Sequence, residues 1–157
     1  MIPGGDRMLS LTRSFTAIFR NSGEASDQVA STTHQRVLVV DDNIDAADSL
    51  VMLLKYAGYT VAAAHTAEAG LALAQTFQPH FILLDLGLPA MGGYEVARRI
   101  RSSPALNGLR MFAVTGYDHE DAKRRSTEAG FEAHLVKPIN LDELLASIAC
   151  PAPAFRI

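Results

Sequence analysis

From residue 37 onward, short apolar runs alternate with longer segments in which apolar residues recur every three or four positions. The run at 81–84 holds four consecutive apolar residues and leads directly into the acid Asp85. Runs of this length without polar alternation are typical of strands that are covered on both faces in a parallel sheet. The pattern predicts five strands, at residues 37–40, 60–64, 81–85, 110–115 and 132–136.

Helix signals fill the segments between these strands. Side chains that cap helix N-termini precede three of the segments, at Asn43, Thr66 and Asn140. The predicted helices cover residues 44–57, 67–77, 93–101, 118–129 and 141–149. Five strands that alternate with five helices predict an α/β protein with a doubly wound, five-stranded parallel sheet.

Composition narrows the class of protein. The 157 residues are 48% hydrophobic and 20% charged, which suits one globular domain with a substantial core. A net charge of -3 argues against a nucleic-acid partner. The single cysteine, Cys150, excludes an intramolecular disulfide and a cysteine-rich zinc site. No apolar run approaches the roughly 20 residues of a membrane span, so we expect a cytoplasmic protein.

The two ends of the chain differ from its middle. Residues 1–35 are rich in Gly, Ser and Thr and lack strand signals, which predicts a flexible N-terminal tail. An alternative is one short amphipathic helix that docks or lies on a membrane surface, because apolar residues recur there at helical spacing. We expect the folded domain at 36–149 and a C-terminal tail at 150–157.

Polar side chains follow the predicted strands at the point where each strand ends. Asp41 and Asp42 follow the first strand, Asp85 ends the third, Thr115 ends the fourth and Lys137 follows the fifth. Parallel strands present their carboxyl ends at one edge, so these residues are expected to meet there. Three carboxylates repel one another unless a cation lies among them, and oxygen ligands suit Mg²⁺.

Such a site holds an acid nucleophile, a metal, an ammonium and a hydroxyl, a set that can hold a transferring phosphoryl group. For Asp85 alone, a strand-end acid that only caps the following turn is an equal alternative.

Four segments carry a family resemblance: VLVVDD at 37–42, LDLGLPAMGG at 84–93, AVTG at 113–116 and VKP at 136–138. Together they resemble the receiver domain of two-component response regulators, over about residues 36–149. The residues around the fourth and fifth strands are similar to those in the receivers of hybrid histidine kinases. The resemblance implies the (βα)5 flavodoxin-like receiver fold.

The resemblance also implies roles for the residues at the strand ends. Asp85 would accept a phosphoryl group from the phosphohistidine of a histidine kinase or histidine phosphotransfer protein. Mg²⁺, for which Mn²⁺ can substitute, would be held by Asp42, Asp85 and the backbone carbonyl of Gly87, with Asp41 acting through a water. The chain would be a stand-alone receiver that signals through contacts with an unidentified downstream protein.

Thr115 and Lys137 would bind the phosphoryl oxygens, and a cis peptide before Pro138 would aim Lys137. In the family an aromatic residue on the fifth strand follows the threonine inward as a switch. The residue at that position here is His134, so the resemblance leaves open a histidine without a special role, a pH-sensitive switch, or a substitute in Tyr117. Gly87 and Tyr117 predict slow autodephosphorylation, because Gly87 has no side chain to orient water and Tyr117 is bulky enough to screen the phosphoryl group.

Two other functions stay open at this stage. A Mg²⁺-dependent phosphohydrolase with an aspartyl-phosphate intermediate would need an acid two residues after the nucleophile, where this chain has Gly87. A flavodoxin-like cofactor binder would need a Gly- or Thr-rich phosphate loop after the first strand, and the sequence has none there.

Overall fold

Five strands and five helices alternate in a computed structural model that describes residues 34–117 and 119–150. The strands are β1 (Arg36–Val40), β2 (Thr60–Ala64), β3 (Phe81–Asp85), β4 (Arg110–Thr115) and β5 (Ala133–Val136). The helices are α1 (Ile44–Tyr56), α2 (Ala67–Phe77), α3 (Gly93–Arg101), α4 (Glu120–Glu128) and α5 (Leu141–Ala149). A short 3-10 helix, Pro104–Leu106, precedes β4.

The strands form one parallel sheet in the order β2-β1-β3-β4-β5. Because the order reverses between β1 and β3, a crevice opens at the carboxyl ends of these two strands. Val40 of β1 lies opposite Leu84 of β3, so the residues that follow them, Asp41 and Asp85, reach the same level. The predicted fold class is confirmed.

Helices cover both faces of the sheet. In the central strand β3 every residue is buried, and alternate residues point into two apolar clusters. Ile82 and Leu84 pack with residues of α2 and α3, whereas Phe81 and Leu83 pack with residues of α1 and α5. This two-sided burial explains why the third strand carries a continuous apolar run instead of an alternating one.

The three predicted N-caps are confirmed. Asn43 Oδ1 accepts a hydrogen bond from the Ala46 amide at 3.1 Å, and Thr66 Oγ1 accepts one from the Ala69 amide at 3.1 Å. Asn140 Oδ1 accepts from two amides of the first turn of α5. Each cap satisfies amide groups that have no partner inside their helix.

Arg110 fastens the amino end of β4 to the end of α5. Its guanidinium forms an ion pair with Glu132 at 2.7 Å and donates to the carbonyls of Ile148 and Cys150 at 2.9 and 2.8 Å. The same group lies 5.2 Å from the ring centroid of Phe81. The end of α5 is thereby held at the edge of the sheet where the strands begin.

The structure differs from the sequence prediction mainly at helix boundaries. Helix α4 begins at Glu120 after His119, not at Asp118, and Asp118 lies outside the described residues. Helix α1 ends one residue earlier than predicted, with Ala57 as its C-cap, and β5 begins one residue later, at Ala133. The N-terminal helix and both tails predicted at 1–35 and 150–157 fall almost entirely outside the described residues.

The helices are also too short or too polar to cross a bilayer: none in the described part of the chain could span a membrane.

Candidate functional site

Three carboxylates meet at the carboxyl end of the sheet. Oxygen atoms of Asp41, Asp42 and Asp85 all lie within 4.8 Å of one another. Asp41 and Asp85 are 6% and 7% exposed, whereas Asp42 is open to solvent. Two buried acids this close to a third are costly unless a cation compensates them.

Lys137 supplies one such cation. Its Nζ lies 2.8 Å from Asp41 Oδ2 and 3.4 Å from Asp85 Oδ2. The peptide bond between Lys137 and Pro138 is cis, as the resemblance implies. The Lys137 ammonium therefore contacts both buried acids. Its one positive charge lies beside a cluster of three acids.

The pKa values of both Asp85 and Lys137 are raised at this site. Burial raises the pKa of Asp85, the Gly87 amide and Lys137 oppose that rise, and the neighbouring charge of Asp41 adds to it. Burial lowers the pKa of Lys137, but the hydrogen bond to Asp41 and the charges of Asp41 and Asp85 outweigh it, so the net shift is also upward. Asp85 and Lys137 thus each hold a proton more tightly in the folded protein than the free side chains would.

Short loops hold the acids in place. Asp85 Oδ1 accepts a hydrogen bond from the Gly87 amide at 2.8 Å, and Asp41 Oδ1 accepts one from the Asn43 amide at 2.9 Å. At Gly93, a Cβ would lie 2.7 Å from the Asp85 carbonyl oxygen, so only glycine fits there. The start of α3 can therefore pack directly on the loop that carries Asp85.

His65 is a site contact that the sequence reasoning missed. It is partly buried, and its Nδ1 lies 3.0 Å from the backbone carbonyl oxygen of Asp41. Since a carbonyl only accepts, Nδ1 carries the hydrogen. The Asp41 amide also donates to the Ala64 carbonyl at 3.1 Å, so the end of β2 secures the acidic loop from one side.

Thr115 and the predicted switch residues lie on the other side of the crevice. Thr115 is 7% exposed, and its Oγ1 accepts a hydrogen bond from the Tyr117 amide at 3.1 Å. Tyr117 itself is 72% exposed. The His134 ring lies between two partners, with Nδ1 3.1 Å from Ser126 Oγ and Nε2 3.4 Å from the Tyr117 carbonyl oxygen. The sequence does not identify Ser126, because a serine among charged residues predicts a solvent-exposed position.

The donor set fits a hard divalent cation. Three carboxylates within 4.8 Å, with the exposed carbonyl of Gly87 two residues after Asp85, offer oxygen ligands only. Mg²⁺ uses one or two carboxylates together with waters and phosphate oxygens, so this set is sufficient for it. Chemically, the site combines carboxylates, which can act as nucleophiles, with an ammonium that can bind the oxygens of a phosphoryl group.

Comparison with known proteins agrees with this geometry. The family profile described as "Response regulator receiver domain" matches residues 37–149. Response regulator MprA of Mycobacterium ulcerans is 35% identical over 111 residues, which cover 71% of this chain and 47% of MprA. The chain thus spans about half the length of that relative.

Two solved structures have the same fold. Chemotaxis protein CheY4 of Vibrio cholerae superposes with a TM-score of 0.69 at 29% identity, covering 73% of this chain and 96% of CheY4. A response regulator protein from Burkholderia pseudomallei, solved with a phosphorylated aspartic acid, calcium ion and citrate, has a TM-score of 0.66 at 29% identity, covering 72% and 65% of the two chains. The profile match spans most of the chain, and the chain therefore belongs to the response regulator receiver family, whose members are phosphoacceptors in two-component signalling.

Proposed function

We propose that this receiver accepts a phosphoryl group from a phosphohistidine donor onto Asp85, in a Mg²⁺-dependent step, and signals the change through protein contacts. The observation that carries the proposal is the position of Asp85. Its carboxylate lies 3.4 Å from the Lys137 ammonium and within 4.8 Å of two further acids, in a crevice at the switch point of the sheet.

In the proposed step an oxygen of Asp85 attacks phosphorus in line with the bond to the donor imidazole. The new O–P bond converts Asp85 into an acyl phosphate. The P–N bond of the donor breaks and leaves its electron pair on the imidazole nitrogen. Lys137 can turn from Asp41 to an oxygen of the incoming group, since its Nζ already reaches both acids. The Thr115 hydroxyl, at the end of the neighbouring strand, donates to a second oxygen.

Asp42, Asp85 and the Gly87 carbonyl would hold Mg²⁺ directly, and Asp41 would act through a bound water. When bound, the ion neutralises negative charge on the phosphoryl oxygens and on the acids. Support for this assignment comes from exposure: Asp42 and Gly87 are open to solvent, whereas Asp41 is buried and already paired with Lys137. Mn²⁺ has the same oxygen preference and is expected to substitute.

The donor protein is expected to dock on an apolar groove that adjoins the acids. The groove has a volume of about 500 Å³ and is lined by one side of α1 and by the segment after β5. Asp41 and Lys137 form part of its wall, together with Ala46, Ser49, Leu50, Leu53, Pro138 and Ile139. A partner that brings a phosphohistidine to Asp85 has to cover this wall, so the groove is a docking surface suited to that partner.

The phosphohydrolase alternative has no residue to support it. A hydrolase of that kind needs a general acid beside the nucleophile, and Gly87 supplies no side chain. Slow loss of the phosphoryl group is the behaviour we propose instead, because Gly87 has no side chain to orient water and Tyr117 is bulky enough to screen the phosphoryl group.

Phosphotransfer to an Asp85→Asn variant tests the proposal. A histidine kinase or phosphotransfer protein, labelled on its histidine, should transfer label to the wild-type chain and not to Asp85→Asn. The label should be released by hydroxylamine, as an acyl phosphate is, and should require Mg²⁺. Asp121→Asn, at an exposed acid of α4, is the matched control and should accept label normally. Labelling of Asp85→Asn at the wild-type rate would refute the assignment of the nucleophile.

A further inference from the structure

Asp41 is held in place through every one of its polar groups. Its amide donates to the Ala64 carbonyl at 3.1 Å, and its own carbonyl oxygen accepts from His65 Nδ1 at 3.0 Å. In the side chain, Oδ1 accepts from the Asn43 amide at 2.9 Å, and Oδ2 pairs with the Lys137 ammonium at 2.8 Å. The position of this buried acid therefore depends on four contacts, one of which is made by the His65 ring.

The His65 ring is anchored independently of the loop after β1. The residue before it, Ala64, is the last of β2 and lies opposite Val40 in the sheet. The residue after it, Thr66, caps α2 with its hydroxyl. The backbone of His65 is thus held on both sides, by strand pairing and by a helix cap. Its bond to the Asp41 carbonyl therefore fastens the acidic loop to β2 and α2.

The Lys137 ammonium lies unequally between two acids. Its Nζ is 2.8 Å from Asp41 Oδ2 and 3.4 Å from Asp85 Oδ2. The other carboxylate oxygen of Asp85, Oδ1, already accepts from the Gly87 amide at 2.8 Å. Oδ2 is therefore the oxygen available for attack on phosphorus, and it is also the one that Lys137 would cover if Asp41 released the ammonium. A charge-assisted hydrogen bond to that oxygen would occupy the electron pair that attacks.

We propose that His65 is a positioning residue for phosphoryl transfer, which acts by holding Asp41 against the Lys137 ammonium. Asp85 Oδ2 is thereby left free to attack. The inference rests on the proposed function, because it is the attack by Asp85 that needs this oxygen. Loss of the His65 bond lets the Asp41 backbone shift, and the ammonium then moves toward Asp85.

The same contact should affect metal binding. Asp85 is one of the proposed ligands of Mg²⁺, and an ammonium that pairs closely with its carboxylate competes with the ion for the same negative charge. By keeping Lys137 on Asp41, His65 preserves the ligand as well as the nucleophile. A variant without the His65 donor should therefore bind Mg²⁺ more weakly.

Phosphorylation of the full chain by acetyl phosphate with Mg²⁺ tests the inference in two variants. His65→Leu removes the donor and keeps a side chain of moderate size, whereas His65→Asn keeps an N–H group near the position of Nδ1. The maximal rate per folded molecule should fall about threefold to tenfold in His65→Leu, the usual effect of one hydrogen bond, with KM for acetyl phosphate nearly unchanged. His65→Asn should recover most of the rate.

His80→Leu is the matched control. It also removes a bond between a histidine ring and the backbone, the one from the Arg36 amide to His80 Nδ1 at 2.9 Å, but at the amino end of the strands. It should therefore keep the wild-type maximal rate. A wild-type rate in His65→Leu, a loss that His65→Asn does not reduce, or an equal loss in His80→Leu would overturn the inference.

Two further measurements do not depend on phosphorylation. In a long-range proton–nitrogen NMR spectrum of the wild type, His65 Nδ1 should have the shift of a protonated ring nitrogen, because the Asp41 carbonyl only accepts. A titration with Mg²⁺, followed at the Gly87 amide, should show weaker binding in His65→Leu than in the wild type or His65→Asn. An unprotonated Nδ1 or equal Mg²⁺ affinities would overturn the inference. If the wild type gains no phosphoryl group on Asp85, the proposed function fails instead, and these two measurements still decide whether His65 places Lys137.

Discussion

Gly87 leaves the pocket open on one side of Asp85. It is exposed, and a Cβ placed there would lie 3.4 Å from Asp85 Oδ1, an ordinary contact distance. Its backbone also lacks the positive φ that only glycine adopts easily. A side chain at this position can therefore reach the water around an acyl phosphate without distorting the loop.

We expect Gly87→Gln to shorten the lifetime of phosphorylated Asp85. The amide side chain can hold a water in line with the phosphorus, which is how a water-positioning glutamine acts in phosphoryl transfer, and we expect a loss that is roughly tenfold faster. The measurement is the decay of labelled protein at neutral pH after the donor is removed. Gly87→Ala is the control, since it adds a Cβ without a polar group. Equal decay rates in Gly87→Gln and wild type would contradict the role assigned to Gly87.

At the scale of single residues, the sequence predicts that the acids and Lys137 meet, because parallel strands end at one edge, and the structure brings these side chains together. The sequence does not predict His65 or Ser126. The bond from His65 to the Asp41 carbonyl, and that from Ser126 to His134, join different elements through side-chain directions that no periodicity encodes. Gly93 is similar, because its close approach to Asp85 is visible only after α3 is packed.

At the scale of secondary-structure elements, α1 has two functions. Leu54 and Ala47 bury one side of it against the sheet, while Ala46 and Leu53 line the groove beside the acids. The three-to-four spacing of apolar residues in α1 predicts a broad apolar stripe but not its exact limits. Leu53 is in fact 43% exposed, so part of the stripe is available to a partner.

Leu53→Glu is expected to reduce phosphotransfer from the donor protein by about tenfold or more, since an interface residue of this kind is worth on the order of 1–2 kcal/mol. Phosphorylation by acetyl phosphate, which needs no docking surface, should stay unchanged. Initial rates with both donors give the comparison. Met52→Glu introduces the same charge at an adjacent residue that does not line the groove, and should behave like wild type. Equal losses with the two donors would mean that Leu53 affects the pocket and not the partner.

The observed helix starts show which boundaries the hydrophobic pattern and the capping residues can predict. Helices with side-chain caps, such as α1 and α2, begin where the sequence predicts. Helix α4 has no side-chain cap bond and little apolar periodicity, and its start is the one that the sequence placed two residues too early. The sequence signal for a helix start is therefore weakest at α4, which depends on contacts with β5 and with the loop before it.

At the scale of the whole molecule, the three acids couple the pocket to stability. The pKa of Asp85 is raised in the folded protein, mainly by burial, so the folded state binds this proton more tightly than the unfolded state does. The ionised carboxylate therefore destabilises the metal-free protein at neutral pH. This cost disappears as the pH falls through the folded-state pKa and Asp85 becomes protonated.

Asp85→Asn should consequently melt at a higher temperature than the wild type in EDTA at pH 7, and this difference should shrink as the pH is lowered toward 4. Mg²⁺ should raise the melting temperature of the wild type more than that of Asp85→Asn, because at tenfold excess over Kd a ligand adds about 1.4 kcal/mol of stability. Calorimetry over a pH series measures both effects. Asp48→Asn, at an exposed acid of α1, is expected to follow the wild type throughout. A destabilised Asp85→Asn at pH 7 would show that the ion pair with Lys137 outweighs burial.

The contacts of Arg110 with the end of α5 have a practical consequence for measuring how a donor protein binds. Arg110 holds the carbonyl of Cys150 at 2.8 Å from its guanidinium, beside the first residue of β4, whereas the acids meet beyond the last residues of the strands. Cys150 is exposed and is the one thiol in the sequence. A fluorophore attached there by maleimide would sit at the opposite pole from the acyl phosphate, where it can report binding of a donor by anisotropy without obstructing it.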